Sequence, residues 1–169
     1  MTADSMASRL EELYVRHVPA ALRLAYFLTG DRDVARDLVQ DAFVRVAGRF
    51  RHLRQPDEFD AYLRRTIVNL HTSSLRRLKV ERSSLAREAA LTMPTANEDD
   101  HGARDEMWHA ILGLPPRQRA AIVLRYYEDL SEADTAELLN CSVGTVKSQT
   151  SRALATLRGA LTEESEGES

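Results

Sequence analysis

Thr145, Lys147, Ser148, Gln149, Ser151 and Arg152 fall within a single eight-residue window and combine two cations, one amide and small hydroxyls. Those groups suit the edges of bases and the phosphates beside them. An amide can pair with adenine through two hydrogen bonds, and cations pair with guanine or with phosphate. A second set, Arg64, Arg65, Asn69, Thr72, Ser73, Arg76 and Arg77, repeats the pairing of cations with one amide. A third, Asp33, Asp37 and Asp41, places a carboxylate at successive helical turns, with Arg36 and Gln40 between them and Arg45 one turn on. Carboxylates in such a row could hold a metal or transfer protons. With no histidine or second carboxylate motif nearby, a solvated face or a protein-docking face is the better reading. The five histidines are scattered without ligand spacing, the single Cys141 excludes an internal disulfide, and no glycine-rich phosphate loop or nucleophile–base pair is present. The chain is therefore read as no enzyme, with no metal and no cofactor.

The elements that would position the first set are two short amphipathic helices. Ser131 is an N-cap with Asp134 three residues on, and Ala133, Ala136 and Leu139 give an apolar face. Asn140 can take the left-handed conformation of a sharp turn, and Cys141 is read as a small apolar plug. Ser142 can cap a second helix whose inward side is Val146, Ala153, Leu154 and Leu157. This predicts a helix-turn-helix with the polar set facing outward. The bland alternative is an ordinary helical hairpin, which needs the same caps and stripes.

At 169 residues, 43% hydrophobic and 29% charged, the chain is predicted to be a soluble protein of one ordinary domain or two small ones. It carries no apolar run of the ~20 residues a membrane span needs, and no signal-peptide pattern opens it. A cytoplasmic protein with no membrane insertion is expected. The formal net charge of −3 looks wrong for a nucleic-acid binder until it is divided along the chain. Residues 1–80 carry +4, residues 81–106 carry −4, residues 107–162 carry +1 and the tail 163–169 carries −4. The acid is concentrated away from the candidate binding segments.

In chain order, Ser8 is read as capping a short helix, and Pro19 as opening a second one with Leu22, Leu24, Ala25 and Leu28 inward. Gly30 closes it. Asp31 then caps a helix carrying Val34, Leu38, Ala42 and Val46 at helical spacing. Phe50 to Glu58 reads as a loop into a helix from about Asp57 to Lys79, with Phe59, Leu63, Ile67, Leu70 and Leu78 buried. Val80 to Ala103 reads as a flexible acidic linker with a fleeting helix at Ser84 to Leu91. Beyond it, Met107, Trp108, Ile111 and Leu112 begin a second helical body, and Pro115 and Pro116 start its next helix. The prediction is an all-α chain of two small helical domains joined by a flexible acidic linker.

Four segments in this order, ARDLVQDAFVRV (Ala35–Val46), AYLRRTIVNL (Ala61–Leu70), LPPRQRAAIVLRYYEDLS (Leu114–Ser131) and NCSVGTVKSQTSRAL (Asn140–Leu154), resemble an extracytoplasmic-function (ECF) sigma factor of bacterial RNA polymerase. The resemblance covers about residues 8–160, and its wording is of actinobacterial type. It implies sigma region 2 at 8–79, a linker at 80–103, sigma region 4 at 104–161 and an acidic tail at 162–169.

The resemblance also implies partners. Asp37, Gln40, Asp41, Phe43 and Arg45 would dock on the β′ clamp helices of core RNA polymerase, and region 4 would meet the β flap. The minus-ten promoter element, with one non-template base flipped out, would be held by Tyr62, Arg64, Arg65, Asn69, Arg76 and Arg77. The minus-thirty-five element would be read by Arg125, Thr145, Lys147, Ser148, Gln149, Ser151 and Arg152. Gln149 departs from a common arginine and Thr150 from a common large apolar residue. Promoter DNA and an anti-sigma factor complete the implied partners. Two alternatives come from other classes: a free-standing helix-turn-helix regulator, in which residues 8–79 sense or dimerise, and an interaction protein that sequesters a partner without reading DNA.

Overall fold

The computed structural model describes residues 3–50, 56–84 and 102–167. The chain divides between Arg76 and Arg77 into two compact units. The described residues are helical and contain no strand. The first unit is built from α1 (Ala3–Thr29), α2 (Arg32–Arg49) and the greater part of α3 (Pro56–Ser84). The second holds α4 (Gly102–Leu112), α5 (Pro116–Ile122) running on into a π-helical turn (Val123–Tyr127), α6 (Glu132–Leu139) and α7 (Val143–Gly167). Of the loop predicted at Phe50–Glu58, residues 51–55 lie outside the described residues and Pro56–Glu58 already belong to α3; nearly all of the predicted fleeting helix at 84–91 also lies outside the described residues.

The two short helices expected before Gly30 are one. Pro19 sits inside α1 rather than at a helix start, and Ser8 caps nothing. Proline removes the hydrogen bond that would reach back to the carbonyl of Val15, at a cost of about 3 kcal/mol in a helix interior. Both Pro19 and Val15 are exposed, so that carbonyl faces water. On the opposite side Leu13, Ala21, Leu24, Ala25 and Leu28 form one buried stripe spanning the proline, and its burial outweighs the lost bond.

Gly30, at φ 71°, turns the chain, and the Asp31 carboxylate accepts from the N–H groups of Asp33 at 2.8 Å and Val34 at 3.0 Å. This is the expected N-cap of α2. The buried stripe of α2 is rotated from the expected one: Ala35, Val39, Ala42, Phe43 and Val46 face inward, while Val34 is 52% exposed. A strict spacing of four drifts about 40° per step around a helix, so a row begun at Val34 cannot stay on one face as far as Val46.

α3 buries Phe59, Leu63, Ile67 and Val68, and Phe59 is the centre of an aromatic cluster. Its ring lies 5.6 Å from Phe43, 6.2 Å from Phe50 and 5.5 Å from His17. Leu78, expected in the core, is 47% exposed, and α3 runs on to Ser84 rather than ending at Lys79.

In the second unit Leu114, Ile122, Ala153 and Leu157 form the core, flanked by Ala110, Ile111 and Leu154. Pro115 is the N-cap of α5 and Pro116 its first residue, as the dipeptide predicts. Arg119 is buried, and its Nη1 donates to the carbonyl of Leu112 at 2.7 Å, tying α5 to the end of α4. Burial draws the Arg119 pKa below its usual value. α7 continues in helical conformation to Gly167, so most of the predicted acidic tail extends this helix.

Candidate nucleic-acid interface

The helix-turn-helix hairpin forms as predicted. Ser131 Oγ accepts from the N–H of Asp134 at 3.0 Å and donates to its carboxylate at 2.7 Å. Asn140 adopts φ 51° and ψ 52°, the left-handed conformation that a short polar side chain tolerates, and Cys141 N–H closes back on Ala136 O at 3.0 Å. Ser142 Oγ accepts from the N–H of Thr145 at 3.1 Å, capping α7. Val146 and Ala153 are wholly buried, which fixes the rotation of α7 about its axis.

That rotation turns Lys147, Ser148, Ser151 and Arg152 to solvent. Thr145 is half-buried beside the Ser142 cap, and Gln149 is half-buried on the flank of the exposed face. Lys147 Nζ lies 3.8 Å from the carboxylate of Glu132, an exposed pair of small energetic worth. Arg125 lies on the π-helical turn, half-buried, with Nη1 donating to the carbonyl of Leu130. Cys141 is only partly buried rather than a plug; burial raises its thiol pKa, and the nearby charge of Arg117 opposes that.

The first unit contains a cleft of about 370 Å³ lined by Arg45, Arg49, Tyr62, Thr66, Asn69, Leu70 and Ser73. Tyr62, Thr66, Asn69 and Ser73 fall at intervals of four, three and four along α3, so one helical face supplies an aromatic ring, an amide and two hydroxyls. The end of α2 supplies two guanidinium groups opposite. Arg49 Nη1 donates to Tyr62 Oη at 2.7 Å, and the Thr66 hydroxyl donates to the Tyr62 carbonyl at 2.7 Å. Rings for stacking, an amide for a base edge and cations for phosphates are the groups that hold an unpaired strand.

A scan against protein-family models matches Sigma-70 region 2 to residues 13–80 and Sigma-70 region 4 to residues 104–157. The RNA polymerase sigma-E factor of Streptomyces coelicolor is 39% identical over 87% of this chain and 83% of its own length. The ECF RNA polymerase sigma factor SigM of Mycobacterium tuberculosis is 34% identical over 87% of this chain and 74% of its own. This chain belongs to the ECF sigma factors.

It accordingly binds core RNA polymerase and directs promoter-specific transcription initiation. The family is one of transcription initiation factors, and the match across both regions favours it over a free-standing regulator. The sigma factor RpoE of Bartonella quintana, solved in complex with the anti-sigma factor NepR, superposes with a TM-score of 0.63 at 25% identity, covering 90% of this chain and 96% of that one. Among the described residues of this sigma factor, no helix is long and apolar enough to cross a membrane.

Several residues stand elsewhere than the sequence placed them. Phe43, expected on the polymerase-docking face, is 7% exposed, with its ring 4.8 Å from Tyr14 and 5.6 Å from Phe59. It belongs to the core, while Asp37, Gln40 and Asp41 are exposed as expected. Arg45 lines the cleft with Asn69 and Tyr62. Arg64 is bound to Asp60 at 2.6 Å, and neither it nor Arg65, Arg76 or Arg77 lines the cleft. Arg49 and Thr66 were missed. The signal for Thr66 is its spacing between Tyr62 and Asn69 on one helical face. Nothing in sequence spacing brings Arg49 across to Tyr62.

Proposed function

We propose that residues 8–79 of this sigma factor bind core polymerase and open the minus-ten element, and that residues 104–161 read the minus-thirty-five element. Residues 80–103 would be the linker between these activities, and 162–169 the acidic tail. The observation that carries the reading is the cleft that gathers Tyr62, Asn69 and two arginines. A flipped base gains contacts there that offset the few kcal/mol its unstacking costs. Asp37, Gln40 and Asp41, exposed on α2, are the docking face for the β′ clamp helices, with Phe43 holding that face from behind. The β flap is the partner of region 4.

On α7, Lys147, Ser148, Ser151 and Arg152 face the major groove. Gln149 and Thr145 meet it from the flank and the helix start, and Arg125 takes a phosphate with the N–H groups not given to Leu130. An anti-sigma factor is a partner by analogy with the Bartonella relative. The protein acts in the cytoplasm, beside polymerase and chromosome, and catalyses nothing itself.

The test is transcription in vitro from promoters mapped by sequencing transcript starts after overproduction. Asn69→Ala should reduce initiation about tenfold, more than alanine at any one of Arg64, Arg65, Arg76 or Arg77, since a base contact is worth ~1–3 kcal/mol. Equal losses at all five positions would contradict an amide-reading pocket.

A further inference from the structure

We infer that Arg49 is a positioning residue for promoter opening, which holds the Tyr62 ring in the attitude that receives a base. This rests on the reading of the cleft as the minus-ten site. Arg49 is the last residue of α2, and the next side chain, Phe50, is 7% exposed and packs edge-on to Phe59 at 6.2 Å. The backbone that carries Arg49 is therefore anchored in the aromatic core. From that fixed point Nη1 donates to Tyr62 Oη at 2.7 Å, while the guanidinium carbon stands 6.0 Å from the ring centroid. The grip is on the hydroxyl tip and on one side of the ring. The guanidinium also lies over one face of the ring, so a base stacks on the opposite face.

Tyr62 stands on α3, whose own rotation is fixed by the buried Phe59 and Leu63 on either side of it in sequence. With its Cβ set by the helix and its hydroxyl set by Arg49, the ring is constrained at both ends across the cleft. Stacking a base on an aromatic side chain yields about 1–3 kcal/mol, and part of that is lost if the ring must first be ordered. Arg49 supplies the order before the strand arrives. Arg45, one turn earlier on α2, lines the same cleft and serves the phosphates.

The hydroxyl contact is a single hydrogen bond and not a bidentate one, and an ammonium can also stand over a ring, so a lysine can replace Arg49 in part. Asn69 and Thr66 do not share in it. The effect is therefore specific to the Arg49–Tyr62 pair.

The experiment uses holoenzyme on a mapped promoter carrying 2-aminopurine in the non-template minus-ten strand, whose fluorescence follows unstacking. Arg49→Ala and Tyr62→Phe should each slow opening about fivefold, and the double variant should be no slower than either alone. Arg49→Lys should recover to within about twofold of the wild type. Tyr62→Phe keeps the ring and the packing, so it carries the test even if Arg49→Ala folds poorly. Multiplying losses in the double variant, with a salt dependence reduced by about one phosphate contact in Arg49→Ala, would make Arg49 a direct strand contact and overturn the inference. Normal opening by Arg49→Ala would overturn it too. Tyr62→Ala and Asn69→Ala separate the two levels: if both open the promoter normally, the cleft reading itself fails, whatever Arg49 does.

Discussion

Thr150 occupies a place in α7 that its chemistry does not suit. Val146, Thr150, Ala153 and Leu157 follow the inward stripe at intervals of four, three and four, and the other three are buried apolar groups. The Thr150 Oγ1 is itself buried and has no hydrogen-bond partner among the described residues. A hydroxyl removed from water without a partner costs free energy that an isosteric methyl does not. Thr150→Val should therefore raise the unfolding free energy by about 1 kcal/mol, read as a higher urea midpoint with unchanged slope. The departure of Thr150 from a large apolar residue was visible in the sequence. Its orphaned oxygen was not, because that depends on what packs over it. Phe43 shows the opposite failure: a motif resemblance placed it on a docking face, whereas its apolar ring, on the stripe with Val39 and Val46, had reason to be in the core.

At the scale of elements, caps and turns were the most legible features. Asp31, Ser131, Asn140 and Ser142 each perform the local task their type and position dictate, since a cap depends only on the few residues beside it. Where a local rule met tertiary burial, burial prevailed. Pro19 was read as a helix boundary, yet the stripe from Leu13 to Leu28 carries α1 through it. The π-helical turn at Val123–Tyr127, closed by Glu128 N–H on Val123 O at 3.0 Å, has no sequence signature at this level. The account of α1 makes a clear prediction. Pro19→Ala restores a missing hydrogen bond on an exposed face without touching the stripe. It should stabilise the protein by about 2 kcal/mol, the helix gain of ~3 less the ~1 that proline's stiffness takes from the unfolded chain, measured by urea unfolding of the full chain.

For the whole molecule, the two-body helical architecture was readable because an acidic stretch interrupts two regions of strong helical periodicity. The cleft was not readable, because it joins the end of α2 to the face of α3 and only packing around Phe59 brings them together. The charge distribution bears on how the molecule works. A net charge of −3 and few cations on α7 give weak attraction to DNA, so the two proposed grips would depend on being mounted on polymerase. On that proposal, selectivity would rest with a few contacts at each element and affinity with the assembly. The most direct measurement is transcription from a mapped promoter by core polymerase with and without the purified protein, alongside binding of the same promoter fragment by the protein alone. Specific initiation that requires the protein, together with weak and strongly salt-dependent binding by the free chain, is the predicted result. Tight promoter binding by the free chain, with no specific initiation gained by core polymerase, would contradict it.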